Sequence, residues 1–370
     1  MERFREIFKN RHQRLVEWKE YTGSFIFGYL CTYVPEEILY AAGMLPIKII
    51  PEIDPITKGE GYLAPFLCPY IRSVFDHALK GKYAYLDGII QNHTCDGMTH
   101  LYAEWNLHVK TPYSYFLGQP YLDDSAAKEF YLKTLTTFIQ WLEVLMVRPI
   151  TTAAFQDAIQ VYNEHRHLLK ELGTLRQNQT PHLLGSEFFE IIRAGMVSPK
   201  KEINLLIHEF LKEVRNRKLK TNLKIKVLVS GGMIEDLRVL QLIEQSGAQI
   251  VADDLCIGSR YYWNLISSDQ NPIKAIGDRY IDRVSCPCRD IDRKKRLDHI
   301  IDMYKSSQAE GIIFIFQKSC GPHYGDYPYI TEYLSANGIP HLLLMLEHES
   351  TAIEQMKNRV DAFIEMVEGK

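Results

Sequence analysis

With 370 residues, 46% hydrophobic and 24% charged, the chain has a globular composition, neither disordered nor fibrous, and is long enough for two domains with separate cores. A net charge of −3 gives no broad basic surface for nucleic acid or anionic lipid. Apolar runs such as 312–316 and 342–346 fall far short of the ~20 residues a membrane span needs, and the first residues are charged where a signal peptide is apolar. A cytoplasmic protein with no nucleic-acid or membrane partner is therefore expected.

Residues 1–22 read as one amphipathic helix with Phe4, Phe8, Leu15 and Trp18 on one side. Residues 24–30, bounded by Gly23, predict a strand that runs into Cys31. Pro35 suits a first helical turn and Glu36 and Glu37 suit the positive end of the helix dipole; Gly43 closes that helix and 45–50 is a second strand. Cys68 and Pro69 open a helix to about Lys80. Residues 85–91 form a strand before His93 and Cys95, and a helix follows over 99–107.

From 123 to 220 long helical periods replace the strands, at 127–147, 151–172, 186–196 and 200–217, divided by Pro149, Gly173, Pro181 and Pro199. Alternation then returns. Residues 225–230 are a strand, Gly231-Gly232 a turn and 234–245 a helix; strand 249–252 leads to Cys256. Helix 289–306, strand 311–316 before Cys320, helix 327–336, strand 341–346 and helix 353–367 complete the chain. The fold class expected is α/β: two doubly wound parallel-sheet domains, 1–122 and 221–370, with a helical connector or cap over 123–220.

Seven cysteines in a reducing compartment do not read as a disulfide framework, and their odd number agrees. No C-x-x-C pair writes a zinc ribbon or a ferredoxin run locally. Cys31, Cys95, Cys256 and Cys320 each fall a few residues beyond a predicted strand, where open parallel sheets bind ligands. Cys68 and the Cys286/Cys288 pair stand at predicted helix starts, where backbone N–H groups favour thiolate. Thiolates gathered in a partly apolar cavity are what an iron–sulfur cluster requires. Any single cysteine of this set reads equally well as a small buried hydrophobe, and zinc competes for three or four of them. Ser230-Gly231-Gly232 reads as a tight turn, since no dinucleotide or phosphate-loop pattern follows. His93 and His323 are the histidines nearest the expected cleft.

Several segments together resemble a known family: Gly28 to Glu37 (GYLCTYVPEE) with Ala41-Ala42-Gly43, Leu67 to Ser73 (LCPYIRS), His93-Thr94-Cys95-Asp96, and Lys318-Ser319-Cys320 with Asp326-Tyr327-Pro328. The chain is similar over nearly its whole length to the 2-hydroxyacyl-CoA dehydratase and benzoyl-CoA reductase family, D-component type. The resemblance implies two α/β domains with a [4Fe–4S] cluster in the cleft between them, held by Cys68, Cys95 and Cys320. The further cysteines resemble the double-cubane cluster proteins, in which two bridged [4Fe–4S] units share one subunit. On that likeness Cys31, Cys256 and Cys288 serve the second cubane, with Cys286 the spare.

The function so implied is a low-potential iron–sulfur reductase acting on a small, poorly reducible molecule. Its expected partners are an ATP-hydrolysing iron–sulfur activator and either a second copy or a related subunit. One alternative is a subunit of a 2-hydroxyacyl-CoA dehydratase or aryl-CoA reductase, acting on a CoA thioester through a ketyl-type radical, with Glu37 as an acid–base or substrate contact. Another is a cluster-free or zinc-bearing binding module.

Overall fold

The computed structural model describes residues 1–219, 222–283, 286–289, 293–347 and 353–369. Strands β1 (Ile26–Tyr29), β2 (Leu45–Lys48), β3 (Gly88–Asn92) and β4 (Tyr113–Leu117) form one all-parallel sheet in the order β2-β1-β3-β4. Strands β5 (Ile225–Gly231), β6 (Ala248–Asp254), β7 (Gly311–Gln317) and β8 (His341–Leu346) form a second, ordered β6-β5-β7-β8. The two sheets thus repeat one winding order. In each, the chain changes winding direction between the two central strands, and the crevice at the carboxyl ends of such a pair is where doubly wound folds bind ligands.

The strand sequences follow from this layering. Both faces of each sheet are covered, so β1, β3 and β7 are buried throughout; β1 and β7 read as near-continuous apolar runs, while β3 ends in the buried polar Gln91 and Asn92. One core cluster joins Ile26, Leu30 and Ile89 of the first sheet to Val227, Val229, Ile313 and Ile315 of the second, through Phe188, Phe189, Ile191 and Ile192 of helix Gly185–Met196. The opposite face of the first sheet packs Phe27, Tyr29 and Ile90 against helices Ser125–Met146 and Pro272–Asp282. The outer face of the second packs Leu228, Phe314 and Phe316 against helices Arg293–Ser306 and Gly321–Ala336. Among the described residues no helix is long and apolar enough to cross a membrane.

The helical stretch matches its sequence pattern closely, with helices Ser125–Met146, Thr152–Leu175, Gly185–Met196 and Lys200–Val214. Asp124 and Thr151 cap the first two by accepting from the N–H groups of Ala127 and Ala154. Residues 220 and 221, where the expected connector meets the second α/β half, lie outside the described residues, as do 290–292 of the expected helix 289–306.

Some elements differ from expectation. The N-terminal segment is two helices, Glu2–Lys9 and Arg11–Thr22, broken at Asn10, whose ψ of 17° leaves the helical range. Strand β4 was not predicted; Tyr113 to Leu117 lies on the sheet edge, with a burial pattern too uneven to alternate. Helix Pro272–Asp282 was also unforeseen, although Asn271 caps it through Ile273 and Lys274 and Pro272 occupies its first turn. Helix Gly321–Ala336 starts directly after Cys320, earlier than its glycines suggested. Cys286 and Cys288 do not open a described helix; they sit in a turn closed by the Arg289 N–H donating to the Cys286 carbonyl at 2.8 Å.

Candidate metal centre

Both sheets direct their carboxyl ends at a single cavity, and all seven cysteines line it. Cys31 follows β1 and Cys95 follows β3, the two strands at the first switch point. Cys320 follows β7 and Cys256 follows β6 in the second sheet. Cys68, Cys95 and Cys320 each occupy the N-cap position of a helix. The cavity measures about 90 Å³, several times the ~10–15 Å³ that one water requires, so it has room for a polyatomic group. The rest of its lining joins the apolar Leu30, Ile71, Met98, Met233 and Pro322 to the polar Thr32, Thr94, Lys48, Tyr70, Gln317 and His323.

Close approach of the two central strands of the second sheet depends on glycine. A Cβ on Gly231, the last residue of β5, would lie 1.9 Å from the Ile315 carbonyl oxygen. Gly232 beside it lines the cavity against His323. The Ser230-Gly231-Gly232 turn is therefore a packing device at the second switch point. Cys320 is presented by a strained turn, with Ser319 at φ 62° in the left-handed region.

Two groupings of the thiols stand out, although Cys95 also interacts with Cys31 and Cys286, and Cys320 with Cys286. Cys68, Cys95 and Cys320 interact electrostatically with one another, and burial pushes each of them up to about 12. Near neutral pH they keep their protons, which a metal would have to displace. In the other neighbourhood Cys286 accepts from Cys256 and from Cys288, whose sulfur is 3.4 Å away, and these two hydrogen bonds hold it well below the usual thiol range. The same bonds, with burial, push Cys256 and Cys288 well above it. Cys31 is raised by burial and lies in the field of Cys286, Lys48 and Arg283.

The polar groups around the thiols were not visible in the sequence. His323 turns Nδ1 to the Cys320 sulfur at 3.2 Å while its Nε2 has no partner, and burial lowers it to about 3, so the ring is neutral. Lys48 is 1% exposed and donates to the Leu30 and Ile49 carbonyls at 2.8 and 3.1 Å and to the Tyr70 hydroxyl. Burial lowers its ammonium to about 8, against the pull of Cys31 and Cys256. The Tyr33 ring lies under two guanidinium groups, Arg283 at 4.0 Å and Arg289 at 4.6 Å, while its hydroxyl accepts from the Cys286 N–H at 3.2 Å. Arg260 bonds the Asp254 carboxylate at 2.9 Å and the Gly231 carbonyl, and its charge reaches Cys256 and Cys286.

Glu37 is not in the cavity lining. It is fully buried, and Arg166 and the Tyr280 hydroxyl bond its two oxygens. His93 is also outside the lining, 3.4 Å from the Tyr121 hydroxyl.

A donor set of seven sulfurs in an apolar cavity suits thiolate-ligated metal, and it exceeds the four ligands of a zinc site. Seven convergent thiols at the crevice between two doubly wound sheets make a candidate soft-metal site in a protein of α/β class. The chain belongs to the 2-hydroxyglutaryl-CoA dehydratase, D-component family, whose model matches residues 31–367. It is similar to the (R)-phenyllactyl-CoA dehydratase beta subunit of Clostridium sporogenes, 26% identical over 98% of this chain and 97% of the relative. A benzoyl-CoA reductase subunit of Thauera aromatica is 26% identical over 95% and 93%. The (R)-2-hydroxyglutaryl-CoA dehydratase subunit beta of Acidaminococcus fermentans is 27% identical over 99% and 98%. The family is one of enzymes, dehydratases and reductases, and each of these relatives is a subunit by name.

Proposed function

We propose that the chain is the iron–sulfur subunit of a low-potential reductase whose cavity holds two bridged [4Fe–4S] cubanes. The observation that carries this reading is the meeting of all seven thiols in one cavity, four more than the trio implied for a single cubane. Cys68, Cys95 and Cys320 are assigned to one cubane and Cys31, Cys256 and Cys288 to the other. Cys286, in hydrogen-bond contact with both Cys256 and Cys288, lies between them; the two outer sulfurs suit separate irons better than either does paired with Cys286.

When bound, such a group supplies electrons at a potential set by charge, hydrogen bonds and exposure. The chain's part is to hold the thiolates, to exclude water with Leu30, Ile71, Met98 and Met233, and to turn His323 toward one ligand sulfur. On this reading 1–122 and 221–370 are the two α/β domains, 123–220 is the connector, an ATP-hydrolysing iron–sulfur activator is the electron donor, and the compartment is the cytoplasm. The relatives' names favour a second reading, in which the chain is one subunit of a dehydratase or reductase of CoA thioesters and associates with a related chain. A CoA thioester that alters the visible spectrum on binding would select that second reading.

Anaerobic purification with iron and sulfide analysis tests the proposal. About eight irons per chain are expected for two cubanes. About four would remove the second cubane, and a colourless or zinc-bearing protein would overturn the reading.

A further inference from the structure

Resting on that reading, we infer that Lys48, Arg283 and Arg289 are fixed counter-charges for the occupant of the second thiol set, and that the Arg283–Tyr33–Arg289 stack seats the Cys286–Cys288 turn against Cys31. All three cations are buried, at 1%, 3% and 5% exposure. None has a carboxylate partner among the described residues. Lys48 is met by two carbonyls and a hydroxyl. Arg283 donates to the Thr32 carbonyl at 2.7 Å and its hydroxyl at 3.3 Å. Arg289 donates to the carbonyls of Pro120 and Tyr280.

Elsewhere in the core most buried cations are paired, Arg166 with Glu37, Arg176 with Asp253, Lys200 with Glu36, and Arg296 with Asp254 and Asp326, while Arg279 is held by the Asn264 and Tyr261 carbonyls. Buried charge is costly unless compensated. Among the described residues these three cations, with only the buried Glu235 acting on Lys48 from beyond ion-pair distance, converge on one thiol neighbourhood, so the compensating charge belongs to those thiolates and what they hold. A thiolate-ligated group of net negative charge, such as an iron–sulfur cluster, meets that demand; protonated thiols do not. Arg283 reaches the residue after Cys31, Arg289 follows Cys288, and Lys48 lines the cavity in the field of Cys31 and Cys256. The Tyr33 ring, with both guanidinium groups within 4.6 Å of its centroid, holds their charges close by cation–π attraction.

These are positioning residues, and a reduction potential reads them where a structural role would not. A nearby cation stabilises the more negative, reduced form, so its removal lowers the potential. Anaerobically purified wild type, Lys48→Met, Arg283→Met and the charge-keeping Arg283→Lys are titrated with dithionite and followed by electron paramagnetic resonance, alongside iron content and circular dichroism. Each methionine variant is expected to disfavour one-electron reduction about tenfold, 59 mV downward, in one of two redox waves. Arg283→Lys is expected to restore most of the shift. Should Arg283→Met misfold, Lys48→Met decides the matter, because it lies on β2, away from the helix end that carries Arg283. Iron-loaded, folded methionine variants with wild-type potentials overturn the inference while leaving the cluster reading intact. A wild type that takes up no iron overturns both.

Discussion

The Arg166 guanidinium donates to the Glu37 carboxylate inside the core, joining residues 129 apart in sequence. Burial would push Glu37 up, but Arg166 and Arg279 beside it bring it below its ordinary range. A depressed carboxyl contributes stability at pH values above its unfolded pKa and loses it as pH falls through the folded one. Glu37→Gln leaves Arg166 buried without its charge partner and is expected to cost about 3 kcal/mol or more, measured by urea unfolding, with iron per folded chain unchanged. Wild-type stability combined with lost turnover would instead restore Glu37 as an acid–base residue.

The cysteine series separates the two thiol neighbourhoods. Cys68→Ser, Cys95→Ser or Cys320→Ser is expected to abolish iron loading, whereas Cys31→Ser, Cys256→Ser or Cys288→Ser leaves about half of it. Cys286→Ser keeps nearly all. Metal analysis of each anaerobically purified variant is the measurement. If Cys286→Ser loses half the iron and Cys288→Ser none, the two residues exchange roles.

Much of this site could be read in the sequence because the fold writes it in local punctuation. A parallel strand buried on both faces is a short apolar run, and a cysteine two or three residues past it must lie at the sheet's carboxyl edge. Cys31, Cys95, Cys256 and Cys320 announced themselves that way. Their convergence needed more than adjacency in sequence, since it depends on both sheets facing one crevice. The charges around them left no local trace: Lys48 ends a strand like any surface lysine, and nothing near Arg283 or Arg289 reveals a shared tyrosine from the far end of the chain. Burial of a cation is a tertiary fact. Strand β4 is hard to read because its edge position relaxes the apolar pattern, and helix Pro272–Asp282 because Gly277 and Asp278 interrupt its apolar period.

Gly231 allows a sharp structural test. With its Cβ 1.9 Å from the Ile315 carbonyl, Gly231→Ala must part β5 from β7 or unseat the chain that leads to Gly232. Ordinary overpacking costs roughly 1–3 kcal/mol; a clash with backbone on a central strand is expected to exceed that and yield little soluble protein. Recovery of folded Gly231→Ala with normal iron content would show that the switch point tolerates a wider spacing.

His165 contributes to the acid side of the stability curve. Its Nδ1 lies 2.8 Å from the Asn204 amide oxygen, and its buried Nε2 has no partner that could receive a second N–H. Burial, then the nearby Lys200 charge, lower it to about 3 from an ordinary 6.5. The unfolded chain therefore takes up a proton between those values while the native protein does not. Stability is complete above pH 6.5 and declines as pH falls toward 3. At 1.36 kcal/mol per pH unit the loss by pH 5 is about 2 kcal/mol from this residue. His165→Gln keeps an amide in the place of the ring and cannot take up that proton. Urea unfolding at pH 7 and pH 5 should show the difference between the two conditions shrinking by about 2 kcal/mol in the variant. An equal difference in both proteins would mean that His165 is protonated in the native core, with Asn204 and a rearranged Lys200 accommodating the charge.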